Sequence, residues 1–486
     1  MKRYLLWIIM IMMGLSAYAQ VSDWNNGGGN PFRNGFADVP GPEKDSVIWE
    51  VNSPGFFGLP VYIEGNRLVT MRFLGQENAP VECYDLTNGT LLWSKEVTGG
   101  TGRSLPVGFR DGQVYVERFT ESLIDSLFAL DAATGERLWT CQKTVSVSIT
   151  NSANFAPNGD LYVESWSWAE TMGKLCRIDW QTGDLIWECD FLPPVVGHSE
   201  VTIYQNTGYV IENIGGIINI TAIDLDSGQR KYSYPLNDNH PGGAIPECPI
   251  MVGFDGTIFF HKQGDNVSAF EDNGTQLNLL WETEIFGNAP FSHMCVGPDN
   301  TVYAPSEGKV LRLDHKTGAI MNTSPVICQN PELFQMRASA SGNGIIYVTN
   351  GENKIYAFTP DLDVIWSDNI PNVNTSGAAL GSDGVMAVTG SNVVRVYAPG
   401  LSTGVAQPSR DMDLACYPNP AGSTLNIQVN GNDRDINYTI TDICGHTVIS
   451  GKSSSRFIRL DVSQLPAGLY QVNLDSGSKG TKFIKL

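Results

Sequence analysis

The sequence is poor in the groupings that carry local chemistry. Its nine cysteines include no adjacent pair and no C-x-x-C, which argues against a zinc ribbon, a thioredoxin-like site and a dense disulfide scaffold. The odd count leaves at least one thiol unpaired. Cys176 and Cys189 flank one expected hairpin turn, and are either bridged across it or both buried as free thiols. The six histidines are dispersed too widely for a local metal motif. There is no G-x-S-x-G, no Walker loop and no dinucleotide fingerprint. The run NNGGG at 25–29 precedes no helical pattern, so it does not fit a phosphate cradle. No metal ligand, catalytic residue or cofactor is assigned on these grounds.

Positive charge is also scarce. The net charge is −20, and residues 20–400 carry 21 basic against 44 acidic residues, whereas 401–486 carry 8 and 7. Such a body repels nucleic acid and anionic membranes. Long apolar runs are absent except at the N-terminus. There Lys2 and Arg3, the apolar run 5–15 and Ala17-Tyr18-Ala19 read as a signal peptide over 1–19, cut before Gln20. No cysteine follows the cut, which argues against a lipoprotein, and no expected segment spans a membrane.

What is present is a repeat. The nonapeptide DAATGERLW (131–139) has counterparts in DLTNGTLLW (85–93) and DWQTGDLIW (179–187). Its terminal position recurs at Trp49, Trp93, Trp139, Trp187, Tyr232, Trp281, Asn322 and Trp366, roughly every 45 residues. Five copies carry D-x-x-[TNS]-G, beginning at Asp85, Asp131, Asp179, Asp224 and Asp314. A second ladder of turns, out of phase with the first, includes Gly65-Asn66, Asp111-Gly112, Asn206-Thr207 and Asp383-Gly384, and short apolar strands follow most of them. Each unit therefore holds four short strands and two hairpin turns, the form of a β-propeller blade. The Asp closes the turn through backbone N–H groups and the Gly supplies positive φ. Four residues on, the Trp shares the face of the Gly and fills the wedge between blades. Asp224-Leu225-Asp226 resembles a calcium loop but sits on this turn and lacks the later acidic ligand.

The fold expected is all-β: an eight-bladed propeller over 20–400, with seven as the rival count. Residues 376–399 supply three strands without a fourth, and the orphan strand 45–51 closes the ring from the N-terminal side. The opening WNNGGGNPFRNGFADVPGPEKDSVIWEV (24–51), followed by these repeats, resembles the pyrroloquinoline-quinone-like propeller family. In its enzymatic members the resemblance implies a quinone on the propeller axis with a calcium ion and adjacent cysteines. This chain lacks the adjacent cysteines, and its units lack long inserts.

After a polar linker at 401–413, residues 414–486 alternate as a small β-sandwich. Tyr417, Pro418, Asn419 and Pro420, Gly445, Gly468 and Tyr470 in LPAGLY, and the basic finish with Lys482 and Lys485 resemble the C-terminal sorting domain of bacterial type IX secretion. That resemblance implies the type IX machinery as a partner, and an extracellular or outer-membrane-surface location.

In this blade order both turn ladders lie on one face, and the loops leading into the innermost strands lie on the other. Register places Arg103, Asn151, His198, Glu247, His293, Arg337 and Asn374 near those entrances, a set suited to an anionic or sugar ligand. Trp166 and Trp168, in a loop on the same face, suit a sugar or a protein partner. The expected function is a secreted or surface-attached, non-catalytic binding or scaffold propeller with an unknown protein or glycan ligand. The alternatives are a polysaccharide-active hydrolase or lyase at the channel mouth, and a quinone-dependent dehydrogenase.

Overall fold

The computed structural model describes residues 23–485 except 57–60, 75–78, 98–102, 120–125, 145–152, 166–172, 192–199, 237–249, 263–265, 287–291, 372–376, 401–412, 418–423, 431–435, 443–445, 454–456, 467 and 475–480. The chain forms two compact units, Met1–Leu401 and Ser402–Leu486. The signal-peptide segment lies outside the described residues.

Every element described is a strand. In the first unit the strands fall into eight sheets among the described residues. The first sheet shows the plan: Tyr62–Glu64, Arg67–Met71, Val81–Asp85 and Leu91–Lys95 pair antiparallel in sequence order, from inner to outer strand. Five further sheets repeat it with inner strands Arg103–Arg110, Asn154–Phe155, Thr202–Tyr204, Ile250–Val252 and Cys295–Val296. The seventh, entered at Arg337–Ser341, gains Phe36–Ala37 as a parallel fifth strand on its inner edge. The eighth joins the two ends of the unit. Val47–Phe56 forms its outer strand on Met386–Tyr397, with Val47 opposite Tyr397 and Trp49 opposite Val396. Residues 376–399 supply two elements instead of three, because Met386–Tyr397 runs as one element through Asn392, which takes φ +63°. Ala379–Leu380 packs beside Tyr62–Glu64, so the last inner strand meets the first.

The recurring nonapeptide is the joint between sheets. Asp131 accepts from the N–H of Ala133 at 3.0 Å and of Thr134 at 2.8 Å, and from the Thr134 hydroxyl at 2.9 Å. Asp179, Asp224 and Asp314 close their turns likewise. Donation from Thr87, Ser227 and Thr317 holds the carboxyls of Asp85, Asp224 and Asp314 below the usual range. Each tryptophan lies on the turn of the following repeat. Trp139 Nε1 donates to the Trp180 carbonyl at 2.9 Å, and Trp187 Nε1 to that of Leu225 at 3.1 Å. Gly183 therefore answers two constraints at once. Its φ is +77°, and a Cβ there would stand 2.5 Å from the Trp139 ring. The same indole-on-glycine contact joins Trp49 to Gly89, Trp93 to Gly135, Trp187 to Gly228 and Trp281 to Gly318.

Cys176 and Cys189 are both buried and are not bridged to each other. In the register of their hairpin Cys189 stands opposite Leu175, and Cys176 opposite Glu188. That offset of one residue sends the two side chains to opposite faces of the sheet and into different core clusters.

The second unit has a three-stranded sheet (Asp413–Tyr417, Thr424–Asn430, Phe457–Asp461) and a four-stranded sheet (Ile436–Asp442, Thr447–Ser453, Gly468–Leu474, Thr481–Lys485). They share a core that includes Leu425, Ile427, Ile440, Ile458, Val472 and Phe483. Tyr470 stacks on Phe483 with ring centroids 5.5 Å apart, and its hydroxyl donates to the Pro466 carbonyl at 2.9 Å. Gly468 pairs with Lys485, and Gln471 with Lys482. Tyr417 ends its strand opposite Asn426. Pro418, Asn419, Pro420 and Gly445 lie outside the described residues.

Candidate functional site

The innermost strand of each sheet is an edge, with backbone groups turned toward the axis. Residues 24–37 run along these edges and bind them in order. The N–H of Ile63 donates to the Trp24 carbonyl at 2.9 Å, that of Phe109 to Asn25 at 3.0 Å, and that of Ile203 to Pro31 at 2.9 Å. Val252 donates to Phe32 at 3.0 Å, Val296 to Asn34 at 2.8 Å and Ala340 to Gly35 at 2.7 Å. At the third sheet Asn154 reaches in with its side chain. Its Nδ2 donates to the Pro31 carbonyl at 2.9 Å, and its Oδ1 accepts from Asn26 at 3.3 Å. Arg33 is 1% exposed; it donates to the Val201 carbonyl at 2.8 Å and forms an ion pair with Glu200.

A small pocket remains between this segment and the inner strands. Trp24, Gly28 and Arg33 form one wall, and His293, Arg337 and Gly377 are among the residues of the other. His293 and Arg337 come from neighbouring sheets and are locked together by backbone. They form a parallel bridge, with the His293 N–H donating to Met336 at 2.8 Å and Ala338 donating to His293 at 3.1 Å. Burial pushes the His293 imidazole well below its usual pKa, and the charges of Arg337, His261 and Arg33 push the same way. Burial likewise lowers His261 to about 4. Both rings are neutral near pH 7. Arg33 and Arg337 are the two cationic side chains that line the pocket, and Glu200 pairs with the first.

Of the residues read from the sequence, the structure brings His293 and Arg337 together. Arg103 opens the inner strand of the second sheet, opposite Phe119. Asn151, His198, Glu247, Asn374, Trp166 and Trp168 lie outside the described residues. Sequence reasoning missed Trp24, Gly28, Arg33 and Glu200. The signal available for them was the density of Asn and Gly in 25–35, where no hairpin was expected.

The family model described as "Outer membrane protein assembly factor BamB" matches residues 40–191 and 81–324. The chain belongs to this propeller family. Residues 415–486 match the family described as "Secretion system C-terminal sorting domain", so the chain carries a type IX sorting tail that directs it to the cell surface or the extracellular space. No helix among the described residues is long and apolar enough to cross a membrane. No curated protein matches the chain. Among solved structures it is similar to BamB from Moraxella catarrhalis (TM-score 0.53, 14% identity, covering 72% of this chain and 98% of that one). It is also similar to the quinohemoprotein alcohol dehydrogenase of Comamonas testosteroni (TM-score 0.59, 12% identity, 82% and 83% covered). A europium-containing methanol dehydrogenase is a third (TM-score 0.53, 11% identity, 76% and 90% covered). At these identities the likeness is one of fold.

The quinone that the family's enzymatic members hold on the axis does not fit the described residues of this BamB-type propeller. Residues 24–37 occupy the axis. The pocket they leave against His293 and Arg337 has room for a water or two and not for a fused three-ring quinone. Among the described residues no group of three His, Cys, Asp or Glu side chains is placed to hold a metal ion.

Proposed function

We propose that the mature chain is an exported, eight-bladed binding propeller without catalytic activity. Its ligand engages the face where the inner strands begin, and presents one carboxylate group to the pocket of Arg337 and His293. The observation that carries this reading is that pocket. It pairs a buried guanidinium with a neutral imidazole, on an axis otherwise filled by the chain itself. A guanidinium suits planar anionic groups through paired donors. A holding role also agrees with the family, whose description names an assembly factor. The sorting tail places the propeller where it meets surface glycans and proteins.

The test is an array of acidic and neutral glycans, probed with the mature protein and with Arg337→Gln. Binding of acidic glycans that the substitution abolishes is the expected result. Turnover of any glycan, lost in His293→Ala, overturns the non-catalytic reading. Export is tested separately: deletion of 414–486 leaves the propeller in the periplasm, and surface delivery of the truncated chain would contradict the role of the tail.

A further inference from the structure

Residues 24–37 do more than fill space. Their six backbone acceptors meet the N–H groups of Ile63, Phe109, Ile203, Val252, Val296 and Ala340. These six are one position of the repeat. Each stands opposite the equivalent residue of the second strand, namely Leu68, Val114, Gly208, Ile258, Val302 and Ile346. Six of the eight sheets thus present one backbone donor at a fixed level, and the segment meets these donors in order as it circles the axis. Two asparagines add selectivity. Asn25 Nδ2 donates to the Phe109 carbonyl at 2.5 Å, and Asn34 Nδ2 to the Val252 carbonyl at 3.0 Å, so both of those ring residues are bound through N–H and C=O together. Close approach sets a second requirement. A Cβ at Gly28 would stand 2.5 Å from the Arg33 backbone, and one at Gly35, where φ is +66°, would stand 2.9 Å from Cys295.

We propose that the inner strands form a circular peptide-binding track, and that residues 24–37 are its ligand, supplied in cis. The class of ligand is an asparagine- and glycine-rich peptide with two tight turns, in which Gly29 donates to Asn26 and Arg33 to Asn30, held chiefly through backbone hydrogen bonds. The segment's partners run from Ile63 to Ala340, so it docks only after the sheets exist. It is therefore the final fastener of the ring, distinct from the outer strand Val47–Phe56, which closes the eighth sheet. Residues 38–46 lie between the two: Val39, Gly41 and Pro42 are buried and bound to Gly342, Asn343 and Tyr347 of the seventh sheet, and Glu43, Lys44, Asp45 and Ser46, all exposed, offer a place to separate the segment from the strand that follows. This inference does not depend on the anionic ligand proposed above.

The experiment uses the full mature chain with a specific protease site in place of 43–46. The ring folds before it is cut, so a folding defect cannot imitate the result. After cutting, the native protein is challenged with fluorescent synthetic peptide 20–43, or with the same peptide carrying Asn25→Ala and Asn34→Ala. The expected result is co-elution of the cut segment with the ring, followed by exchange for the wild-type peptide under mild urea. The doubly substituted peptide binds at least tenfold more weakly. The melting temperature of the cut protein rises with peptide concentration, as for any ligand of the native state. Equal uptake of the two peptides overturns the proposal. So does loss of the segment with no change in melting temperature, or release only when the sheets themselves unfold. A second reading comes from Gly35→Val in the uncut chain. Hydrogen exchange at the Val296 and Ala340 amides is expected to quicken while Val348, within its sheet, stays protected; unchanged protection at Val296 and Ala340 counts against the track.

Discussion

Seven of the eight joints between neighbouring sheets are of two kinds; at the eighth, Trp366 stands against Pro42. At five of them a tryptophan lies on the glycine of the next repeat's turn. At two others the tryptophan is missing, and the losses are met differently. Where Tyr232 replaces it, the following turn is lengthened, and a Cβ on its Gly274 would meet nothing within 4 Å. The joint is held instead by the Tyr209 hydroxyl, which donates to Asp272 at 2.6 Å. Where Asn322 replaces it, the side-chain amide donates to the Asp361 carbonyl and keeps the hydrogen bond that an indole N–H would make. One substitution keeps some apolar surface and gives up the staple; the other keeps the staple's polar half and gives up the ring. The indole at an intact joint thus performs two separable tasks, filling the wedge and tying the turn.

The largest way to break this contrast is to empty an intact wedge. Trp139 is 9% exposed, and Trp139→Ala is expected to cost about 3–5 kcal/mol, as for other buried aromatics cut back to alanine. Tyr232→Ala, at a joint that already lacks the staple, is expected to cost about 1 kcal/mol. Urea unfolding of the mature chain followed by fluorescence measures both, and equal losses would erase the distinction. Glycine substitutions sharpen it. Gly274→Ala incurs only the backbone cost of positive φ (+88° here), about 1–2 kcal/mol. Gly183→Ala incurs that and an overlap with the Trp139 ring, so it should be the clearly more damaging of the two. If Gly274→Ala proves as harmful, the indole contact is not what fixes the glycine. A smaller effect isolates the polar half. Asn322→Ala removes one hydrogen bond, worth about 1 kcal/mol, and Asn322→Asp, which supplies no donor, should fall with it.

The joints were legible in the sequence because a turn needs particular residues and the ring repeats them. Asp131 alone suggests a ligand or a base, whereas its counterparts at 85, 179, 224 and 314 mark it as a turn closer. The strand around Trp49 was legible for the same reason, as a repeat fragment without its sheet. The axial segment was not. Its contacts are made largely to backbone, which leaves no mark on the residues that provide it, and its partners lie one per repeat along the chain. Half of the candidate pocket was therefore visible: His293 and Arg337, from register, but not Trp24 and Arg33 facing them. For the thiols two readings stood open, and the buried, unbridged one holds. Proximity in a hairpin suggested a bridge between Cys176 and Cys189, but strand parity decides which side chains meet, and an offset of one residue separated them.

The smallest expected effect concerns the joint between the first and second sheets, where the second sheet's hairpin is tied by a carboxylate. Glu64 accepts the N–H groups of Asp111 at 2.5 Å and Gly112 at 2.8 Å. Burial raises its carboxyl to about 7, against the lowering effect of these bonds. A carboxyl whose folded pKa lies above its unfolded value binds more protons in the folded state. Its contribution is complete below about 4.5 and is lost as pH rises to about 7. The turn carboxyls of Asp85, Asp224 and Asp314 have the opposite sign: their contribution holds above the ordinary carboxylate pKa and is lost as pH falls through their lowered values. The interval from 4.5 to 7 is shared. Glu64 and Asp23, whose carboxyl burial also raises, lose their contribution across it, while the buried neutral His261 and His293 gain theirs as pH rises towards 6.5. Glu64→Gln does not titrate, and its amide nitrogen opposes one of the two N–H groups. It should lower stability more at pH 5 than at pH 7, so that the slope of melting temperature between pH 5 and 7 becomes more positive than in the unsubstituted chain. An unchanged slope would mean that solvent, not the hairpin, sets the Glu64 titration.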